Sequence, residues 1–315
     1  MAKQEEILNM FPAGIRNRFC EIAGQAEDLQ EIRLGIAQPV RVLIRGKEKY
    51  LQESGHVTAD DKGAWKTGEK ELNEILQHIC KYSIYAFEEE ISRGFLSIQG
   101  GHRVGLAGQV VLREDGSVKN LKYIRFMNIR ISHEIIGAAD VLLPHLYQRG
   151  KLLNTLIIAP PGCGKTTILR DLVRQVSDGN PYGKGIQVGI VDERSEIAGS
   201  YMGIPQNRVG KRTDVMDSCP KVVGMMMLIR SMAPKVVAVD EIGSRDDIKA
   251  IFQIQQCGSK IIATIHGDSM EDIKDRTWKE DYALGDIFDR FVLLHKENGR
   301  CMVKKIYGQG MKRLC

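Results

Sequence analysis

The stretch Ala159-Pro160-Pro161-Gly162-Cys163-Gly164-Lys165-Thr166, followed by Thr167, is built to hold a polyanion. It follows the apolar run Leu156-Ile157-Ile158 and precedes a helix expected over 167–177. The pattern is a glycine, four free positions, then Gly-Lys-Ser/Thr, here with Ala159 in the first glycine's place. Gly162 and Gly164 let the backbone turn several N–H groups toward phosphate oxygens. The helix that follows adds the positive end of its dipole. Lys165 is then expected at the β- and γ-phosphates and Thr166 on Mg²⁺, with ATP as the ligand. Cys163 reads as a small loop filler whose oxidation could interfere with binding.

Three further strand ends carry groups suited to phosphoryl chemistry. Val236-Val237-Ala238-Val239 runs into Asp240-Glu241. Asp240 is expected to bind Mg²⁺ through water, and Glu241 to orient or deprotonate the attacking water. Val188-Gly189-Ile190-Val191 runs into Asp192-Glu193-Arg194-Ser195-Glu196. That strand is expected beside the phosphate-loop strand, which would bring its acids to the C-terminal edge of the sheet. Ile261-Ile262-Ala263-Thr264-Ile265 ends in His266, which could sense the γ-phosphate by hydrogen bonding, although a histidine there is as readily a solvated loop residue. Arg93, Arg103, Arg125 and Arg130 are candidates to reach a neighbouring copy's nucleotide and neutralise the transferred phosphoryl group. Taken singly, each of these arginines reads first as ordinary surface charge.

The elements that must position these groups change character along the chain. Residues 1–30 read as short helices. Glu31–Leu34 and Val40–Ile44 alternate at period two around Ala37-Gln38-Pro39. Residues 70–92 show helical spacing, with Leu72, Ile75, Leu76, Ile79 and Ile84 apolar. A glycine-dense stretch from Gly100 to Gly108 predicts tight turns and close backbone approaches. Strands over 109–112 and 123–131 flank a turn at Asp115-Gly116. Beyond residue 136 apolar strands (153–159, 187–191, 236–239, 260–265, 291–295) alternate with helical segments, which predicts a parallel sheet buried on both faces. A hairpin-like tail follows, with its turn at Asn298-Gly299. The expectation is an α+β domain over 1–136 and an α/β P-loop domain with a mainly parallel sheet over 137–315.

Bulk properties narrow the partners. The 315 residues are 43% hydrophobic and 27% charged, enough for packed cores. A net charge of +5 is too weak to imply nucleic acid, and 6% aromatics argues against a base-stacking platform. Seven scattered cysteines with no CxxC pair read as a reduced, cytoplasmic protein without a zinc site. No apolar run approaches the roughly 20 residues that span a bilayer, so a membrane role would need a partner.

The order of the phosphate loop, 192–196, Arg230-Ser231-Met232-Ala233-Pro234-Lys235 with 236–241, and Ala263-Thr264-Ile265-His266 resembles the type II and type IV secretion ATPases. In that family these are the Walker A, aspartate, Walker B and histidine boxes, and the fold is RecA-like. His102-Arg103-Val104 and Tyr123-Ile124-Arg125 sit where family arginines face a neighbour's nucleotide, which implies a role for Arg103 in trans. Ser83–Ile91, Gly100–Gly108 and Val191–Ile197 are similar to a narrower branch, the sporulation stage III AA family. That resemblance implies a mother-cell ATPase in an endospore former. It further implies a homo-oligomeric, hexameric ring docked on membrane-bound channel proteins. The chain departs from the broader family at Asp240, where Gly is usual, at Gly243, where an arginine is usual, and at Arg194, where proline is usual. The resemblance therefore leaves the general base open between Glu241 and Glu193. Two other classes stay in play: a nucleic-acid-stimulated ATPase, and a nucleotide-gated scaffold that does not hydrolyse.

Overall fold

The computed structural model describes residues 2–274, 283–297 and 300–314. They divide into two compact units, Met1–His133 and Glu134–Cys315. No helix among the described residues is long and apolar enough to cross a membrane.

The first unit is a seven-stranded sheet in the order Val57–Thr58, Lys47–Leu51, Arg41–Ile44, Leu29–Gly35, Val118–Arg130, His102–Leu112 and Phe95–Ile98. Every neighbouring pair is antiparallel. Helices cover one face and bury Phe11, Phe19, Trp65, Leu72 and Ile75 against Ile32, Val42 and Ile129. The period-two reading of 31–34 and 40–44 holds because alternate residues enter this core. The helix expected over 70–92 instead stops at Ile79 and resumes as short turns from Ile84 to Ser92. Leu72, Ile75, Leu76 and Ile79 are buried, whereas Tyr82 and Tyr85 are exposed. The chain breaks through Lys81 and Tyr82 at φ 48° and 60° and returns to the core at Ile91. The glycine-dense stretch includes a close approach. A Cβ on Gly108 would lie 2.7 Å from the carbonyl oxygens of both Lys122 and Tyr123.

The second unit holds another seven-stranded sheet, ordered Thr213–Asp217, Val188–Asp192, Val236–Val239, Lys260–His266, Thr155–Ala159, Arg290–Glu297 and Arg300–Tyr307. The first six strands are parallel, and only the last runs antiparallel. Alternation within each strand feeds two opposite cores. Ile157, Ala159, Ile190 and Ala238 pack with Leu169, Leu172 and Val173 of the helix Lys165–Asp178. Leu156, Ile158, Val237 and Val239 pack with Met225 and Leu228 of Lys221–Ser231 and with Ile248, Ile251 and Ile254 of Arg245–Gln256. Burial on both faces is why these strands read as continuous apolar runs. The Asn298-Gly299 turn lies outside the described residues.

One expectation about order is overturned. The strand Val188–Asp192 is not beside the phosphate-loop strand. Val236–Val239 and Lys260–His266 stand between them. Lys260–His266 pairs on one side with Thr155–Ala159 and on the other with Val236–Val239, so it takes the neighbouring place.

Candidate functional site

All the strand ends named from the sequence come to the same edge, because parallel strands finish together. The register pairs Ala159 with His266 and Val239 with Ala263. His266 is thereby set against the start of the phosphate loop, and Asp240 just past the end of its own strand.

Gly162 at φ 67° and Gly164 at φ 91° form the turn, in a region that L side chains rarely adopt. Gly164 caps the 14-residue helix Lys165–Asp178, and no side chain takes a hydrogen bond from its first turn. The helix Arg245–Gln256 differs: there Ser244 and Asp247 cap each other. Ala159 and Cys163 are buried, Pro160, Gly164, Thr166 and Thr167 are half-buried, and Pro161 and Gly162 are exposed.

Lys165 is only 5% exposed. Its Nζ lies 2.9 Å from His266 Nδ1, 3.5 Å from the Ala159 carbonyl and 4.0 Å from Glu241 Oε1. Burial pushes the ammonium below its ordinary range, opposed by Glu241 and Asp240. A lysine ammonium can only donate, so His266 Nδ1 accepts and Nε2 carries the proton. That Nε2–H points at Glu241 Oε1, 2.8 Å away. The other oxygen of Glu241 accepts from Arg194 Nη1 at 3.0 Å. Lys165, His266, Glu241 and Arg194 therefore form one continuous chain of contacts.

Asp240 is held from two sides. Thr166 Oγ1 donates to its Oδ2 at 2.6 Å, and Thr264 Oγ1 donates to its Oδ1. Thr264 also accepts the Glu241 N–H at 2.9 Å. Glu241 itself adopts φ 53°, a left-handed backbone costing about 1 kcal/mol or more for a residue with a side chain. The bend turns its carboxylate back across the strand ends toward Lys165. The Thr166 hydroxyl beside the Asp240 carboxylate is the hard-oxygen pair that Mg²⁺ takes when phosphates and water complete its shell.

The segment after Val188–Asp192 has its own internal support. Asp192 is 2% exposed, and its carboxylate accepts the N–H groups of Glu196, Ile197 and Ala198 at 2.8, 3.1 and 2.8 Å. Burial pushes its carboxyl up to about 6, against those three donors. Asp192 thus shapes the turn and leaves Glu193 and Arg194 to face the site. Glu193 pairs with Lys221 at 3.2 Å, and Lys221 also donates to the Glu241 carbonyl at 2.9 Å. A small cleft is lined by Asp192, Glu193, Arg194, Glu196, Lys221, Asp240 and Glu241.

Arg170, one turn beyond the phosphate loop and 8% exposed, clamps this segment from below. It donates to the carbonyls of Ile197 and Glu196, both at 2.6 Å. Arg170→Met should leave both carbonyls without this donor and cost about 2–4 kcal/mol of stability. A thermal melt that matched the wild type would show the clamp to be dispensable.

The N-terminal arginines belong to the first unit. Arg103 lays its guanidinium over the Phe95 ring, 3.7 Å from the centroid. Arg93 pairs with Glu89 at 2.6 Å and Arg130 approaches Glu31 at 3.9 Å. Arg125 lines a groove with Ile84, Tyr85 and Tyr123.

The family described as sporulation stage III, protein AA, matches residues 1–314. The chain belongs to that family. This stage III AA chain is 43% identical over 308 residues to the stage III sporulation protein AA of Bacillus subtilis (strain 168), covering 96% of this chain and 94% of that one. Among solved structures it is similar to the ATPase DotB of Yersinia pseudotuberculosis, with TM-score 0.62 and 11% identity over 95% of this chain and 80% of that one. It is also similar to the pilus retraction motor PilT with bound ADP, at TM-score 0.60 and 15% identity, covering 94% and 82%. Identities this low show the fold, which is that of the RecA-like secretion ATPases.

Four residues of the site escaped the sequence reading as participants. Thr264 was visible only as part of the string leading to His266. Arg194 stood out only as a departure from a proline. Lys221 and Arg170 sit on helices whose apolar periodicity gives no hint of the loops they hold.

Proposed function

We propose that this stage III AA protein binds ATP with Mg²⁺ and hydrolyses it to energise a trans-envelope channel complex during endospore formation. The observation that carries this is the convergence of Lys165, Thr166, Asp240, Glu241 and His266 at the head of the helix Lys165–Asp178, where no side chain caps the first turn. The loop N–H groups and Lys165 hold the β- and γ-phosphates. Thr166 and Asp240 would hold Mg²⁺, which would supply neutralisation of the phosphate charge. Glu241 takes the proton of the attacking water, and His266 reports the state of the γ-phosphate to Glu241 through its two nitrogens. The names of the relatives support the setting: one is a sporulation protein, and two of similar fold are an ATPase and a motor with bound ADP. In this reading the chain works as a six-membered ring, on the mother-cell side and through membrane-bound partners. Arg103 of one copy then completes the site of the next.

Phosphate release by the full chain tests the proposal. Release should require Mg²⁺, and Asp240→Asn should raise the Mg²⁺ needed for half-activation roughly tenfold or more, as losing a ligand-orienting carboxylate usually does. A wild-type chain that binds ATP but releases no phosphate in any assembly state would favour the nucleotide-gated scaffold.

A further inference from the structure

Two thiols meet at the wall of the phosphate loop. Cys163 Sγ lies 3.4 Å from Cys301 Sγ, although the residues are 138 positions apart. Cys163 is 3% exposed and sits between the two left-handed glycines, Gly162 and Gly164. Cys301 is half-buried on the antiparallel edge strand Arg300–Tyr307. The backbone is close there too: a Cβ on Gly164 would lie 3.4 Å from Cys301 Cβ. The loop therefore rests directly on that strand where the two thiols meet. Nothing in the proposed hydrolysis uses either thiol. Burial, with Cys163 beside it, pushes the Cys301 thiol up to about 12, so at neutral pH it stays protonated.

We propose that Cys163 and Cys301 form a reversible disulfide that ties the phosphate loop to the edge strand and closes it to nucleotide. Only that consequence rests on the nucleotide reading above. The oxidant is a low-molecular-weight disulfide, RS–SR. One protein thiolate attacks it, forming a mixed disulfide and releasing RSH, and the second protein thiol then displaces the other RSH. One RS–SR bond and two S–H bonds break, and one protein S–S bond forms. The two protons and two electrons leave on two RSH molecules. A disulfide sets its sulfurs about 2.05 Å apart, so the pair must close by roughly 1.4 Å. That movement pulls Cys163 toward the strand, together with the glycines that shape the cradle. Coupling is reciprocal: a bound triphosphate holding the loop in its open form slows the closure.

The full chain, reduced and then incubated with oxidised glutathione, is digested without reductant and its peptides weighed. The expected result is a linkage between Cys163 and Cys301, formed more slowly when ATP is present. ATP affinity should fall about tenfold or more, a change of roughly 1.4 kcal/mol or greater, and return with dithiothreitol. Cys301→Ser should bind ATP as the reduced wild type does and ignore the oxidant, and Cys301→Ala repeats the test should serine disturb the strand. Glutathione found only on other cysteines would overturn the proposal, as would a formed linkage that leaves ATP affinity unchanged. The peptide map decides the linkage without nucleotide, so a reduced chain that binds no ATP would sink the nucleotide reading separately.

Discussion

Lys165→Ala should abolish measurable ATP binding. The ammonium is almost fully enclosed, touching His266 Nδ1 and the Ala159 carbonyl, with Glu241 4.0 Å away. Two carboxylates, Glu241 and Asp240, oppose its loss of charge. Alanine would leave those carboxylates facing the incoming triphosphate with no buried cation between them. Charge-assisted hydrogen bonds from the ammonium to phosphate oxygens are worth about 1.5–3 kcal/mol each, so losing two of them is roughly a hundredfold or more in Kd. The fold itself should tolerate the change. Burial already works against the charged ammonium, and the apolar packing of the helix comes from Ile168, Leu169 and Leu172 further along. Calorimetric titration of ATP into the variant, with a thermal melt alongside, checks both halves. An unchanged Kd would mean the triphosphate is held elsewhere. A collapsed melting point would mean the lysine is structural.

How much of this could be read beforehand depended on the range over which the signal acts. The loop 159–166 is a local device, in which two glycines, a lysine and a helix start sit within a few residues, and its turn and the helix after it were legible. So were the strands with both faces buried, because their apolar runs have no other use. The edge strand Thr213–Asp217 went unseen: its five residues are half-buried and two are acids, so a parallel edge looks like a loop. Sheet order was the larger miss. Placing Val188–Asp192 beside the loop strand was reasonable from chain order alone, but a later strand, Lys260–His266, takes that place. The insertion has a chemical consequence. It brings Thr264 and His266 between the phosphate loop and the acids, where they bind Asp240 and bridge Lys165 to Glu241. The pairing of Arg194 with Glu241 spans 47 residues and the sulfur contact of Cys163 with Cys301 spans 138. Neither leaves a trace in local spacing.

The choice between Glu241 and Glu193 as general base is where the geometry makes its sharpest demand. Glu241→Gln should retain ATP binding and cut phosphate release about 10²–10⁴-fold, the usual worth of a positioned acid or base. Glutamine has the same length, and its single amide oxygen can still accept from His266 Nε2; its NH2 then faces Arg194, whose exposed pairing is lost at little cost. It cannot take a proton from water. It also removes a negative charge next to the γ-phosphate, so affinity should hold or tighten. Glu193 is placed differently: its carboxylate pairs with Lys221 at 3.2 Å, whereas Glu241 lies 2.8 Å from His266 Nε2 and 4.0 Å from Lys165 Nζ. Glu193→Gln should therefore lower release by less than about tenfold, chiefly by loosening a lysine that also holds the Glu241 carbonyl. Single-turnover phosphate release from both variants, at saturating Mg²⁺ and ATP, separates the two acids. Equal losses would spread the proton transfer over both. A large loss confined to Glu193→Gln would move the base across the cleft and leave the strained backbone of Glu241, at φ 53°, without a catalytic reason.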